Sequence, residues 1–334
     1  MENTETKETG RRRTGGPLGA ARRTLTVPWR LLRAVGLGAR HAHRLYHPEN
    51  SKVGRTPEHK KLPMRRMQVT TRMDGVTLEA WVVPSTGPHT VVVCHGVERS
   101  KSSTLSHIAL LHGAGYHVVA YDMRNHGEST GDRRLGRMAR RYTSDLRDVL
   151  RQVAADPELG RGKLALLGFS FSAWPSLRVL TTPGAPPVCA VVADSGPLYD
   201  IGAGLANFAT LRRASLPAWV RGGPAFACYR HTFRLVALRM LALRRWPPDL
   251  TGVPTRLMFV AGAADPLVTE DQVRRVARAL PGAHLWVAPT AMHMNAIRFD
   301  RREYESQVLT FLAESFAGPD QHPTPRPTTE AHRA

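Results

Sequence analysis

Residues 163–174, Lys-Leu-Ala-Leu-Leu-Gly-Phe-Ser-Phe-Ser-Ala-Trp, constrain this chain more than any other stretch. Lys163 to Leu167 is a short aliphatic run of the kind that forms a strand buried on both faces. It runs directly into Gly168-Phe169-Ser170-Phe171-Ser172, and a helix-like segment follows. A strand-to-helix turn this tight needs small residues around its centre, because the flanking backbones nearly touch. The apex serine then holds its Oγ clear of the sheet, and the first unpaired N–H groups of the helix face the same space. A G-x-S-x-small pattern occurs by chance in many chains, so the strand ahead of it carries much of the weight.

Composition bounds the rest. A chain of 334 residues can bury a large core. No stretch approaches the roughly 18 apolar residues expected of a membrane span. Cys94, Cys189 and Cys228 are odd in number, far apart and set mostly in apolar runs, which suits reduced thiols in a cytoplasmic protein and argues against a disulfide framework or a metal site. The net charge of +20 is unevenly placed, with 16 Lys and Arg against 5 Asp and Glu in residues 1–66. Such a basic segment favours anionic surfaces. Arg30 and Arg33 interrupt its only candidate signal-peptide core.

Along the chain, residues 1–20 read as disordered. Residues 22–46 mix Trp29, Leu31, Leu32 and Val35 with arginines, as in a basic amphipathic helix on a membrane or a helix packed on the outside of a domain. The folded domain is expected to begin near Met64, with strands at 65–73 and 76–83 around an Asp74-Gly75 turn. Further strands are expected at 90–94, 116–121, 188–193, 255–261 and 283–288. Helices are expected at 103–114, at 142–155, and from a Thr269/Gln272 capping box through Leu280. Buried strands alternating with helices specify an α/β architecture, a mostly parallel sheet covered on both faces. Residues 197–249 break that rhythm, with an Arg-rich helical stretch at 229–246, and read as a helical cap above the serine turn.

Several motifs agree in order and spacing. They are Tyr46-His47-Pro48, Thr56-Pro57, Met73-Asp74-Gly75-Val76-Thr77-Leu78 before Trp81, Cys94-His95-Gly96, the Asp122-to-Ser129 run, the serine turn, Ala261 through Val268, and a late histidine. On these the chain resembles the α/β-hydrolase superfamily, and within it is most similar to the Bem46-like and serine-aminopeptidase-like bacterial hydrolases. The resemblance implies a basic, partly disordered arm over 1–46, an α/β-hydrolase domain over 47–317 with a cap insertion at about 197–249, and a disordered tail over 318–334. A serine hydroxyl is a poor nucleophile at neutral pH, so a histidine must take its proton and a carboxylate must orient that histidine. The family's chain order is Ser, then acid, then His, which assigns Ser170, Asp265 and His293. Asp194, just after the strand ending at Ala193, is the rival acid. Asp122 and His126 read as loop-fixing residues. The backbone N–H groups of Val97 and Phe171 are the expected oxyanion donors. Two departures from the family pattern stand out: Ser172 replaces the second elbow glycine, and Pro175 sits early in the following helix.

The leading expectation is a serine hydrolase acting on a carboxylic ester, thioester or small amide, with a small-molecule acyl substrate and neither metal nor organic cofactor. It would be cytoplasmic, with peripheral contact to the inner face of an anionic membrane through its basic arm. The alternative is a catalytically weak binding protein of the same fold that uses the arm on anionic membrane or nucleic acid. Specific nucleic-acid binding is not expected, because no such motif is present and Arg far exceeds Lys throughout.

Overall fold

The computed structural model describes residues 17–49, 51, 53–132, 134–280 and 282–318. Of the termini expected to be disordered, 1–20 and 318–334, residues 1–16 and 319–334 lie outside the described ones, whereas residues 17–20 are helical. Eight short segments form the strands: β1 Arg65–Thr70, β2 Thr77–Val83, β3 Thr90–Cys94, β4 His117–Tyr121, β5 Leu164–Phe169, β6 Ala190–Asp194, β7 Arg256–Gly262 and β8 His284–Ala288. They make one sheet in the order β1-β2-β4-β3-β5-β6-β7-β8. The β1–β2 and β2–β4 pairs are antiparallel and the remaining pairs parallel. Strands β3 to β6 are fully buried, which is why they read as unbroken Val, Leu and Ala runs without alternation.

The helices are α1 Pro17–Tyr46, α2 Leu105–Gly113, α3 Met138–Ala155, α4 Ala173–Val179, α5 Ile201–Leu211, α6 Gly223–Leu241, α7 Glu270–Ala279, α8 Ala296–Phe299 and α9 Arg301–Ala317. One face of the sheet packs on α3, α4 and α7, in a core that continues into α1 and α6. The other face packs on α2, α8 and α9. Among the described residues, no helix is long and apolar enough to cross a membrane.

Three local expectations change. The Arg-rich helix begins earlier and stops sooner than 229–246: α6 ends at Leu241, where Ala242 turns left-handed at φ 52°, so Arg244, Arg245 and Trp246 lie beyond it. Thr269 does precede α7, but its side chain makes no capping bond. Gln272 instead accepts the Asp200 N–H at 2.9 Å and ties α7 to the start of α5. Finally, β1 ends at Thr70, so the turn around Asp74-Gly75 spans 71–76. Asp74 serves there as the carboxylate for Arg124 and Arg141, at 2.7 and 2.8 Å.

Helix α1 lies along α6 in the cap. A line of small side chains, Ala34, Gly38 and Ala42, lets the two backbones approach closely. A Cβ on Gly38 would stand 2.7 Å from the Tyr229 carbonyl oxygen. His41 Nδ1 meets the Tyr229 hydroxyl at 3.0 Å, and the Tyr46 hydroxyl donates to the Ala237 carbonyl at 3.1 Å. The opposite side of α1 leaves Trp29, Leu32 and Val35 exposed.

Candidate active site

Ser170 directly follows the central strand β5 and opens a single 3-10 turn, Ser170–Ser172, that leads into α4. Its φ of +51° is in the left-handed region that non-glycine residues seldom occupy, so the backbone is strained at the apex. Close packing holds it there: a Cβ on Gly196 would lie 2.5 Å from the Ser170 carbonyl oxygen, so only glycine fits beside the turn. Ser172 is fully buried, and its hydroxyl donates to the carbonyl of His95 and lies 3.3 Å from Met123 Sδ. The unusual serine thereby ties the elbow to the loop after β3. Pro175 is the third residue of α4, within the first turn, whose N–H groups lack helical partners in any case.

Ser170, Asp265 and His293, 123 residues apart at most, come together at the carboxyl edge of the sheet. His293 Nε2 is 2.9 Å from Ser170 Oγ and its Nδ1 is 2.7 Å from Asp265 Oδ2. A carboxylate only accepts, so Nδ1 carries the proton and Nε2 is left free to accept the serine's. The other Asp265 oxygen accepts the N–H groups of Leu267 and Val268 at 2.8 and 3.0 Å, which fixes the carboxylate in its turn after β7. The Asp265 side chain is buried and that of His293 partly open.

Asp194 does not reach His293. Its two oxygens accept the Ser195 hydroxyl at 2.8 Å and the Tyr304 hydroxyl at 2.9 Å. Burial pushes its carboxyl up to about 6. Ser195 Oγ in turn accepts the Met294 N–H, so this buried group supports the histidine loop from behind.

Val97 lies in the loop after β3, facing Ser170 and Phe171 across one cavity. That loop is held by two histidines: His95 Nε2 accepts the Met123 N–H at 3.0 Å and His126 Nε2 accepts the Glu98 N–H at 3.1 Å. Burial keeps both rings neutral, with pKa values lowered to about 4 and about 3. Asp122 takes the Lys101 and Glu128 N–H groups at 2.7 and 2.9 Å, a loop-fixing role. From the cap, Arg212 grips the Glu98 carboxylate through both terminal nitrogens.

A cavity of about 80 Å³ opens beside Ser170. Its walls are apolar and come from three sources: Val97, Phe171 and Trp174 of the core, Leu198, Ile201, Leu205, Phe208 and Leu241 of the cap, and Leu45 and Tyr46 from the end of α1. Asn207 anchors α5 over it by donating to the Pro266 carbonyl at 2.6 Å, next to Asp265. Sequence reasoning missed Leu45 and Tyr46 as pocket residues, and missed the Asp194-Ser195-Tyr304 support. The spacing of Ala34, Gly38, Ala42 and Leu45 along one face of α1 was the available signal that this helix packs on something.

Comparison with known proteins fits this geometry. A profile described as the alpha/beta hydrolase family matches residues 91–304. Over 107 residues the chain is 33% identical to a polyketide transferase of Aspergillus fumigatus, covering 31% of this chain and 36% of that one. Over 261 residues it is 24% identical to an uncharacterised protein of Mycobacterium tuberculosis, covering 76% of this chain and 81% of the other. An esterase of Pyrococcus furiosus superposes with a TM-score of 0.65 at 24% identity, covering 81% of this chain and 98% of that structure. An alpha/beta hydrolase from Penicillium gives 0.59 at 19% identity, covering 77% and 100%. At that identity the solved structures speak for the fold alone, whereas the profile spans well over half of the chain. The chain belongs to the α/β-hydrolase family.

Proposed function

We propose that this protein is a serine hydrolase that cleaves a small apolar acyl group from an ester, thioester or amide through an acyl-enzyme on Ser170. The observation that carries this reading is the continuous relay from Ser170 Oγ through His293 to Asp265, at 2.9 and 2.7 Å. As Oγ attacks the acyl carbonyl, Nε2 of His293 takes its proton, and Asp265 stabilises the imidazolium that forms. The charge that develops on the carbonyl oxygen is met by the N–H groups of Phe171 and Val97. Donors fixed in advance in this way are each worth roughly 100- to 1000-fold in rate. His293 then protonates the leaving group as the bond to the acyl carbon breaks. A water molecule repeats the attack, with His293 again as base, and releases the acid and free Ser170.

The apolar walls of the cavity support an acyl chain over a charged group, and its small volume supports a short one. The partial resemblance to a polyketide transferase is consistent with acyl transfer as the underlying chemistry. Purified protein offered p-nitrophenyl esters of increasing chain length, with an aminoacyl-nitroanilide beside them, tests the reading. Turnover of the short esters that disappears in Ser170→Ala is expected. Equal activity in that variant would remove Ser170 from the chemistry, and a preference for the nitroanilide would make the protein a peptidase.

A further inference from the structure

A second, larger cavity of about 710 Å³ lies behind Trp174. Five arginines from three separate elements face it: Arg137, Arg140 and Arg147 at and along α3, Arg178 on α4, and Arg244 beyond α6. Among the described residues, no carboxylate lines it. Arg147 is partly neutralised by Asp148 at 3.3 Å. Among the described residues, Arg137, Arg140, Arg178 and Arg244 have no acidic partner. The neighbouring Arg141 shows the contrast, because it is paired with both Asp74 and Asp132. Thr143, Ser144 and Thr182 add side chains of polar type to the same walls.

Like charges gathered in one cleft repel one another and focus a positive potential, so the arrangement favours an anion that several guanidinium groups can share. Planar guanidinium donors match phosphate oxygens in pairs. Five such groups exceed what a single carboxylate or one phosphate would engage, which points to a polyphosphate. The cleft and the acyl cavity share a wall, since Trp174 lines both. Its buried indole N–H has no partner among the described residues. Trp174 lies one turn after Ser170, and Arg178 one further turn along α4, about 12 Å from the serine along a helix axis. A flexible pantetheine arm spans such a distance.

We propose that the arginine cleft binds the phosphates of a nucleotide-linked acyl thioester of the coenzyme A type, with the acyl group placed at Ser170. This rests on the serine-hydrolase reading and names its substrate class. In the reaction Ser170 Oγ bonds to the acyl carbon, the carbon–sulfur bond breaks, and the thiolate leaves with the proton held by His293. Water then cleaves the acyl-enzyme.

Two measurements on the full-length chain test it. The first compares kcat/KM for a short acyl-coenzyme A with that for the N-acetylcysteamine thioester of the same acyl group, which lacks phosphates. A preference for the coenzyme A thioester of about tenfold or more at low salt is expected, since each charge-assisted bond to phosphate is worth that much. That ratio should collapse toward one in an Arg140→Ala, Arg178→Ala double variant. A wild-type ratio near one, or a ratio that survives the double substitution, overturns the proposal. The second is calorimetry of Ser170→Ala protein with coenzyme A, with pyrophosphate and with vesicles of anionic phospholipid. Salt-sensitive binding of the two soluble ligands, weakened by the double substitution, supports the cleft even if no ester is turned over, which separates its fate from that of the hydrolase reading. Binding to vesicles without binding to coenzyme A overturns the assignment of a soluble carrier.

Discussion

Ser195 Oγ accepts the Met294 N–H at 2.8 Å while donating its own proton to Asp194, so the residue after His293 hangs from a buried carboxylate at the end of β6. Two aspartates thus act on the same histidine loop, one through the imidazole and the other through the backbone. Asp265→Asn should lower kcat/KM by roughly 1000-fold or more, because the amide cannot hold the productive tautomer. Asp194→Asn should cost about tenfold at most and act mainly on stability. Steady-state kinetics and melting curves of the two variants check this, and the reverse ranking would transfer the acid role to Asp194.

Ser170 and His293 are expected to fail as a unit. Either alanine substitution should reduce turnover by several orders of magnitude, and the double variant should be little worse than the singles, because neither residue performs the attack without the other. Additive losses in single-turnover kinetics would mean that the two do not share a step.

Acid sensitivity follows from three buried histidines. Burial lowers the pKa of His107 to about 3, of His126 to about 3 and of His95 to about 4. Between those values and 6.5 the unfolded chain binds more protons than the folded one, so the stability they contribute is complete above 6.5 and lost as pH falls. Asp145 and Asp194, both raised to about 6 by burial, have the opposite slope and offset part of the loss. His107 is the cleanest test, since it packs on Phe169 and Tyr304 and neither ring nitrogen has a hydrogen-bond partner among the described residues. His107→Leu should raise stability by about 1 kcal/mol at pH 7. The advantage should grow by roughly 2 kcal/mol at pH 5. Denaturant melts at the two pH values decide it, and a pH-independent difference would contradict the buried, neutral state.

Helix α1 forms a wall of the acyl cavity, so disturbing it should change substrate choice as well as stability. Gly38→Val places side-chain atoms against the backbone of α6 and should cost about 1–3 kcal/mol. Leu45→Ala enlarges the cavity beside Ser170 and should move the preferred ester toward longer acyl chains. A chain-length profile identical to wild type would show that α1 does not shape the pocket.

The parts legible in the sequence were those set by short-range pattern. Aliphatic runs located the buried strands, alternation over 65–73 and 76–83 located β1 and β2, and the order of serine, acid and histidine in the family it resembles picked His293 out of 15 histidines. What depended on distant packing was not legible. Residues 1–46 read as a basic arm in which 22–46 lie on a membrane or pack on the outside of the domain; the structure packs them on α6, and that partner, almost 200 residues later, is what buries Ala34, Ala42, Leu45 and Tyr46. The end of α6 was misplaced because Ala242, a good helix former, is turned left-handed there. Gln272 was read as a cap because its spacing from Thr269 fits one, but the Asp200 N–H takes its side chain.

The most direct test of the central claim is covalent capture of the nucleophile. Full-length protein is treated with a fluorophosphonate and digested, and the modified residue is located by mass spectrometry. One adduct is expected, on Ser170, absent from Ser170→Ala and strongly slowed in His293→Ala. An active esterase that remained unlabelled, or that carried its adduct on another residue, would contradict it.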